Sequence, residues 1–477
     1  MTSLADRFGA LLIAFATPMM IGAAHAAEQP DQSGQPSAVI ERGKYLVKAA
    51  DCGACHSAPG GKPFAGGLPI TTPLGTIYST NITPSQDFGI GRYTEQEFVQ
   101  AVRGGIRRDG AHLYPAMPYT SYAKLTDDDA HALYLYFTRA VEPVDAGAPR
   151  TELPFPMNIR ASMMAWNFLF LDTQVFAPDP HQSAEWNRGA YLMQGAAHCS
   201  TCHTPRGFLM QEQASRAFSG AQVGVWYAPN ITSDPASGIG SWTRDELAAY
   251  LRTGRSPGKA QAAGSMAEAV EHSFQYLSDA DLDAVASYVK TIPAVHDQAH
   301  DRSRFAAGSM FSALATLRGR DGISSDNDAN PGGAELFQGN CASCHSAAGQ
   351  GSKDGYYPSL FHNSATGASN ATNLIAAILY GVDRTVSGRQ AFMPGFGGRA
   401  TDANALGDRD IVALGNYVLT HYGPADTTIT EQQVAEERRG GPSSPLLALT
   451  RGGLAAAAAI VLLAIAFLVF RRRKSSV

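Results

Sequence analysis

The sequence predicts an all-α protein of three tandem domains, followed by one transmembrane helix in its C-terminal region. A unit of similar design recurs three times in the 477 residues, each unit closes with the pattern of a capped amphipathic helix, and strand-like alternation is sparse. The length suits about three domains. With a net charge of −5, and Lys and Arg scattered except in the C-terminal tail, the composition argues against a nucleic-acid partner.

The repeat is marked by three cysteine pairs, whose first members, Cys52, Cys199 and Cys341, follow one another at nearly equal spacing. A similar helical phrase precedes each pair: Gly43–Val47, Gly189–Met193 and Ala334–Phe337. Two further phrases of the first unit, Asn81–Pro84 and Gly89–Gly91, return in the second as Asn230–Ser233 and Gly238–Gly240. The sequence therefore predicts one structural unit used three times.

Each unit ends with a predicted helix that begins on a capping residue followed by acids. Thr126 and Ser278 are expected N-caps in the first two units, and in the third the acids follow Gly407. Carboxylates in the first turn suit the positive end of the helix dipole. We therefore interpret acid groups such as Asp127–Asp129 as capping residues rather than as a catalytic site.

Changes of composition give the expected boundaries. Val144–Pro156 is rich in Pro, Ala and Gly, and Asp321–Gly333 is a polar stretch with Gly and Asn. The predicted segments are a signal peptide (1–26), domain 1 (27–175), domain 2 (176–320), domain 3 (321–425), a tether (426–451), the transmembrane helix (452–470) and a cytoplasmic basic tail (471–477).

Both terminal regions carry sorting information. Residues 1–26 contain an apolar stretch and end in Ala24-His25-Ala26, a small-x-small cleavage pattern that predicts a secretory signal peptide. Gly452–Phe470 is an uncharged, mostly apolar run, followed by three Arg and one Lys. As a helix, this run covers most of a ~30 Å hydrocarbon core, and the positive-inside rule places the tail in the cytoplasm. We expect a protein of the cytoplasmic (inner) membrane, with its three domains on the periplasmic side.

All six cysteines lie in C-x-x-C-H motifs, the attachment pattern of c-type haem. Two thiols one helical turn apart can each bond a porphyrin vinyl group, and the adjacent His can supply an imidazole nitrogen to the iron. The sequence predicts three covalently bound haems. The attachment residues are Cys52, Cys55, Cys199, Cys202, Cys341 and Cys344, and the proximal ligands are His56, His203 and His345.

A C-x-x-C pair has two other interpretations. A structural zinc site would need two pairs brought together, but each pair here lies in its own repeat. A thioredoxin-like redox pair needs no following His and belongs near a βαβ pattern, which the sequence lacks. Three motifs in register that use every cysteine favour haem.

The sixth iron ligand of each haem is predicted to be a methionine downstream of the motif. Met117 and Met393 are each followed by Pro in an aromatic-flanked turn. Met266 follows His203 at nearly the offset at which Met117 follows His56, but it lacks the Pro, and His272 is its competitor. The remaining histidines are expected as surface or packing residues, with His198 in a helix: His112, His131, His181, His198, His362 and His421.

With these motifs the chain resembles the tri-haem cytochrome c subunit of bacterial membrane-bound dehydrogenases. That family serves gluconate, fructose and sorbitol dehydrogenases with an FAD subunit, and it is related to the cytochrome c subunit of quinoprotein alcohol dehydrogenase. The segments that carry the resemblance are Tyr78–Pro84, Asp109–Tyr119, Ala228–Thr232, Met266–Ser273, Gly351–Leu360 and Ile378–Thr385. The resemblance implies cytochrome c-type domains and supports Met117, Met266 and Met393 as ligands.

The resemblance further implies an electron-transfer subunit that is no enzyme by itself. Electrons would come from a substrate-oxidising FAD subunit of the glucose–methanol–choline type and pass through three haems to ubiquinone. A small third subunit is a further partner that fits this resemblance. One alternative is the cytochrome c subunit of a quinoprotein (PQQ) alcohol or aldehyde dehydrogenase. Another is a haem peroxidase or terminal oxidase component, which would need a five-coordinate haem. Within the sequence we find no catalytic motif such as a P-loop or H-E-x-x-H.

Overall fold

The computed structural model describes residues 36–297, 303–319 and 332–474 of the chain, so the predicted signal peptide lies outside the described residues. Helices dominate these ranges, and short strands form four antiparallel two-stranded hairpins. The all-α prediction did not include the hairpins. Their strands are two to five residues long, which is too short for period-two alternation to stand out in a sequence.

The first repeat surrounds its cysteine pair with helices. Its helices are α1 (Pro36–Ala49), α2 (Cys52–His56), α3 (Glu95–Gly104), α4 (Tyr119–Tyr122) and α5 (Asp127–Arg139), and its hairpin is β1 (Pro69–Thr72) with β2 (Gly75–Tyr78). Thr126 caps α5 as predicted, since its side chain accepts a hydrogen bond from the Asp129 N–H at 3.2 Å. A further helix, α6 (Ser162–Phe170), follows before the second repeat.

The second repeat has the same order of helices. They are α7 (Ala184–Gln194), α8 (Cys199–His203), α9 (Arg244–Thr253), α10 (Gly264–His272) and α11 (Asp279–Val289). Two hairpins accompany them, β3 (Ala221–Val223) with β4 (Trp226–Ala228), and β5 (Arg255–Ser256) with β6 (Ala260–Gln261). The predicted cap is confirmed, because Ser278 accepts from the Asp281 N–H at 3.1 Å.

After the short helix α12 (Leu314–Gly319), the third repeat begins with α13 (Gly333–Asn340). It continues with α14 (Ala342–His345), α15 (Thr372–Tyr380), the hairpin of β7 (Val382–Val386) and β8 (Arg389–Met393), and α16 (Asp408–Tyr422). At the start of α16 the Gly407 N–H donates to the Asp410 carboxylate at 3.0 Å. An acid therefore satisfies an unpaired donor at this helix start too.

The first and last helices of each repeat cross in contact: α1 with α5, α7 with α11, and α13 with α16. A glycine lies at each crossing. A Cβ added to Gly43, Gly189 or Gly333 would lie 2.1, 1.9 and 2.3 Å from a carbonyl oxygen of the crossing helix. Gly43 and Gly189, which begin the first two phrases, and Gly333, which directly precedes the third, are therefore explained by close backbone approach, which any larger side chain would prevent.

The first two repeats share one hydrophobic core, whereas the third has its own. Tyr45 of α1 donates a hydrogen bond to the Asp281 carboxylate of α11 at 2.5 Å. Tyr191 of α7 donates to the Asp129 carboxylate of α5. Tyr45 and Tyr191 hold the same position in the repeated helical phrase. Asp281 and Asp129 likewise hold the same position after the capping residues Ser278 and Thr126. The interface between these repeats is therefore approximately two-fold symmetric.

After the third repeat come α17 (Glu431–Arg438) and α18 (Leu446–Lys474). The segment predicted as a tether thus contains a helix that packs on α15 and α16, with Val434 and Glu437 buried. Within the described residues, one helix is long and apolar enough to cross a membrane, over Leu446–Leu468 with a mean hydropathy of 2.1. The apolar 18-residue window of that helix is not buried against the rest of the protein.

Candidate haem-binding sites

The three C-x-x-C-H motifs fold in the same way. Each forms a single helical turn, as α2, as α8, or as α14 with Cys341 at its N-cap. Asp51 and His198, the residues just before the first two motifs, have left-handed backbones with φ of 52° and 37°. His198 was predicted to be helical, but this conformation ends the preceding segment and starts the motif turn. The turn brings the two thiols of a pair to one side of a helix.

The histidine of each motif is held by a backbone carbonyl. The Nδ1 atoms of His56, His203 and His345 lie 2.6, 2.7 and 2.9 Å from the carbonyl oxygens of Thr80, Pro229 and Pro358. A carbonyl can only accept, so Nδ1 must donate. The proton is therefore on Nδ1, and the lone pair of Nε2 is available to a metal.

The state of these imidazoles agrees with that role. Burial lowers the pKa of His56, of His203 and of His345, which favours the neutral ring. A neutral ring with a fixed tautomer is the form that ligates iron.

A glycine fixes the backbone of each histidine from the other side. The N–H groups of Gly66, Gly220 and Gly351 donate to the carbonyls of His56, His203 and His345 at 2.7, 2.8 and 2.9 Å. All three glycines have positive φ, of 73°, 96° and 69°. The sequence gives no signal for this role, because the three glycines follow their motif histidines at unequal distances along the chain.

The repeated Asn-Ile-Thr phrase also acquires a role. The Asn81 side chain accepts from the Thr83 N–H at 2.9 Å and donates to the Val144 carbonyl at 2.8 Å. Asn230 repeats this pattern with Thr232 and with Val295. All four Asn and Thr side chains are buried. The phrase is therefore a rigid loop that presents the carbonyl of the residue just before it to the motif histidine.

The three candidate methionines are half-buried, in different local structures. Met117 lies in the turn before α4, Met266 in the first turn of α10, and Met393 at the end of β8. Met117 and Met266 pack against the core shared by the first two repeats, as do Cys52 and Cys199. Met393 and Cys341 pack against the core of the third. Each methionine thus packs against the same core as the first cysteine of the motif in its own repeat.

The other histidines have packing or surface environments. His272, the competitor of Met266, is exposed at the end of α10. His421 stacks on Phe311 with a centroid distance of 3.7 Å, and His198 lies edge-on to Tyr122 at 5.8 Å. His131 lies 2.8 Å from a Glu95 oxygen.

The thiols do not resemble those of a redox pair. Burial raises the pKa of Cys52 to about 12, and it does the same for Cys199 and Cys341. A disulfide oxidoreductase needs the opposite shift. None of the six cysteines is in a disulfide, and the described residues hold no cluster of three or more His, Cys, Asp or Glu side chains suited to a metal ion.

The first and second sites are neighbours. Helix α10 of the second repeat contacts α2 of the first. Burial raises the pKa of Cys55 to about 11, and the charges of Asp51, Glu268 and Cys202 add to the rise. Helix α10 also contacts β7 of the third repeat, where the Thr385 N–H donates to Glu271 at 3.0 Å. One helix thus joins elements of all three repeats.

These residues fit a covalently attached haem at each motif. Each site offers a pair of cysteines that are half-buried or exposed as whole residues, and an imidazole whose Nε2 is left without the ring proton. Each also offers a half-buried methionine on the core of its own repeat. That donor set, two sulfurs for attachment with one nitrogen and one thioether for iron, is the chemistry that c-type haem requires.

Comparison with known proteins agrees with this chemistry. The profile of the cytochrome c family matches residues 187–293 and 332–421. The fructose dehydrogenase cytochrome subunit of Gluconobacter japonicus is 45% identical over 427 residues, covering 88% of this chain and 87% of that protein. The gluconate 2-dehydrogenase cytochrome c subunit of Pantoea cypripedii is 37% identical, over 86% and 91%. The cytochrome c subunit of the quinone alcohol dehydrogenase of Gluconacetobacter polyoxogenes is 37% identical, over 86% and 85%.

Proposed function

This chain belongs to the family of cytochrome c subunits of membrane-bound dehydrogenases, and we propose that it carries electrons from a flavoprotein partner to ubiquinone through three covalently bound haems. It is an electron-transfer subunit of a dehydrogenase complex rather than the catalytic subunit. The observation that carries the proposal is the three-fold recurrence of one local geometry, in which a carbonyl fixes the motif histidine and a glycine N–H fixes its backbone.

Bound haem c supplies a one-electron redox centre. The chain's own residues would do the rest. Cys52/Cys55, Cys199/Cys202 and Cys341/Cys344 would form the thioether links, and His56, His203 and His345 would ligate iron through Nε2. Met117, Met266 and Met393 would fill the sixth position, where a thioether favours reduced iron and raises the potential. The carbonyls of Thr80, Pro229 and Pro358 keep each imidazole in the ligating tautomer.

We further propose three tandem cytochrome c-type domains, with the boundaries predicted from the sequence. The repeated helix crossings and motif turns support the division, although the first two repeats share a core. The domains would lie on the periplasmic side, held by α18. The apolar span with its basic end supports this orientation.

A flavoprotein of the glucose–methanol–choline type is the preferred partner. The relative with 45% identity is a fructose dehydrogenase cytochrome subunit, and the resemblance seen in the sequence links the fructose, gluconate and sorbitol dehydrogenases to an FAD subunit. The second candidate is a quinoprotein partner. It is favoured by the 37% identity to a quinone alcohol dehydrogenase subunit. Co-expression with each class of dehydrogenase separates them, since only the true partner should co-purify and reduce ubiquinone when substrate is added.

The haem number is tested on the purified mature protein. Intact mass and a pyridine haemochrome assay should both give three haems per chain. Replacing Cys341 and Cys344 together with Ala should leave two. A count below three in the unaltered protein would overturn the tri-haem proposal.

The axial ligands are tested by spectroscopy of single variants. Met117→Ala, Met266→Ala and Met393→Ala should each convert one haem from low-spin to high-spin iron. Met310→Ala is the control, because that methionine is exposed and lies outside the sites. An unchanged spectrum in Met266→Ala, together with a changed one in His272→Ala, would assign the second site to His272 instead.

A further inference from the structure

Helix α6 has an unusual composition for a surface helix. Its sequence is Ser-Met-Met-Ala-Trp-Asn-Phe-Leu-Phe, without a single charged residue, and none of its residues is buried. Phe168 is 88% exposed, and Met164 and Leu169 are each 62% exposed. Large side chains exposed to this degree cost free energy in water, because apolar surface is favourably removed from it.

The orientation of α6 is the reverse of that expected in a soluble protein. The Asn167 side chain faces the protein, where it accepts from Tyr119 Oη at 2.7 Å and donates to the Gly104 carbonyl at 3.2 Å. Trp166 Nε1 donates to the Leu209 carbonyl at 2.9 Å. The polar groups thus anchor α6 to both the first and the second repeat, and the apolar side chains are left outside.

The exposed apolar surface extends beyond the helix. Phe155 and Ile159 precede α6 and are 56% and 46% exposed, and Phe208, beside the Leu209 that Trp166 contacts, is 61% exposed. We call these residues the α6 patch: Phe155, Ile159, Met164, Phe168, Leu169 and Phe208. Contiguous apolar surface of this kind marks an interaction site.

The patch adjoins the start of the membrane span. Arg451 Nε donates to the Phe155 carbonyl at 2.8 Å, and Arg451 lies in the second turn of α18. The chain from Gly452 to Phe470 is uncharged, so Arg451 is the last cation before the hydrocarbon. An arginine at this position extends to the headgroup layer. The hydrogen bond therefore brings Phe155 to the same level.

We propose that the α6 patch inserts into the outer interfacial layer of the lipid bilayer, as a second membrane contact beside α18. This inference rests on the proposed membrane span. An exposed apolar face that carries aromatic residues suits the membrane–water interface, where aromatic side chains are enriched. The continuity with Arg451 selects lipid over another protein as the occupant. Two contacts would fix the orientation of the first and second repeats over the membrane, which α18 alone would leave free to rotate.

The test measures the depth of single spin labels in the full-length holoprotein reconstituted in phosphatidylcholine–phosphatidylglycerol vesicles. Met164→Cys and Phe168→Cys report the patch, and Ile460→Cys reports the span. Tyr276→Cys is the control, because Tyr276 is 51% exposed but lies beside a cation, with Lys48 Nζ 4.4 Å from its ring centroid. The unaltered protein is the labelling blank. Power saturation with oxygen and with nickel–EDDA distinguishes hydrocarbon from water.

Labels at Met164 and Phe168 should give a depth of about 5–10 Å, with loss of nickel–EDDA broadening relative to Tyr276. If the patch labels were as accessible to nickel–EDDA as the Tyr276 label, the inference would be overturned. The proposed span would survive that result as long as the Ile460 label reported hydrocarbon. Patch labels shielded from both reagents would indicate a protein occupant and would also overturn it. An Ile460 label in water would overturn both the span and the inference.

Discussion

Removing the Asp281 carboxylate should destabilise the second repeat, where Arg188 pairs with it, and weaken the interface with the first repeat, where Tyr45 contacts it. The two oxygens accept from Arg188 Nε and Nη2, both at 2.7 Å, and one also accepts from Tyr45 Oη at 2.5 Å. The Asp281 side chain is 11% exposed and the Arg188 side chain 35%. Burial alone would raise the pKa of Asp281, but the hydrogen bonds from Arg188 and Tyr45 outweigh it and lower the pKa.

The magnitude follows from these contacts. Breaking a buried ion pair by removing one partner costs about 3–5 kcal/mol. Arg188 is partly exposed and can be rehydrated, so Asp281→Ala should cost about 3 kcal/mol, near the lower end of that range. This corresponds to a roughly 100-fold change in the unfolding equilibrium constant. The Ser278 cap is retained, because it binds the backbone N–H of residue 281.

Asp279→Ala is the matched control. Asp279 lies in the same first turn of α11 and pairs with Arg252, but its side chain is 93% exposed. An exposed pair contributes about 0–1 kcal/mol. Urea unfolding of the mature holoprotein, followed by circular dichroism, measures both variants. Hydrogen exchange of α1 and α11 amides shows whether the loss is at the interface.

A double-mutant cycle isolates the contact between repeats. Tyr45→Phe combined with Asp281→Asn should show a coupling of about 1.5–3 kcal/mol, as for a hydrogen bond to a charged group. The two-fold relation predicts a similar coupling for Tyr191→Phe with Asp129→Asn. A cost of Asp281→Ala no greater than that of Asp279→Ala, or zero coupling in both cycles, would contradict this role of Asp281.

Three further predictions concern packing and pH. Gly333→Ala should destabilise the third repeat by about 1–3 kcal/mol through overpacking against α16. Gly339 lies in the same helix with open space around it, so Gly339→Ala should stabilise the repeat by roughly 0.5–1 kcal/mol. Thermal unfolding of the two variants should therefore shift in opposite directions. The stabilisation by Asp281 should be complete above the carboxyl pKa of about 3.9 in the unfolded chain. It should be lost as the pH falls through the lower pKa that Asp281 has in the folded protein. Unfolding free energies between pH 5 and 2 should therefore fall more steeply in the unaltered protein than in Asp281→Asn, and parallel curves would contradict this. Burial raises the pKa of Glu437 to about 7. The stabilisation that protonated Glu437 contributes to the fold is therefore complete below the unfolded pKa of about 4.3 and is lost as the pH rises through 7. Exchange of α17 amides, corrected for intrinsic rates, should then increase between pH 6 and 8 in the unaltered protein and in Glu431→Gln but not in Glu437→Gln.

Much of the candidate site could be read from the sequence, because haem attachment depends on neighbouring residues within one short motif. The C-x-x-C-H spacing, the Thr126 and Ser278 caps and the uncharged C-terminal run are local patterns, and each appears in the structure as the expected local element. The Asn-Ile-Thr phrase was visible as a repeat, but its use could not be inferred. The carbonyl that it presents lies 24 residues from His56, and that distance is closed only by folding.

The three C-x-x-C-H motifs, the repeated unit and the apolar span could be read from the sequence alone, since they depend on identity and spacing within a few turns of chain. Only the tertiary structure decided how the repeats meet. Tyr45 and Asp281 are separated by 236 positions, so no local pattern could show that a predicted capping acid also joins two repeats. The same holds for α6, whose apolar residues resemble a core helix until the structure shows which side Asn167 faces. Local chemistry determines each element, whereas which surfaces are left exposed depends on contacts between distant segments.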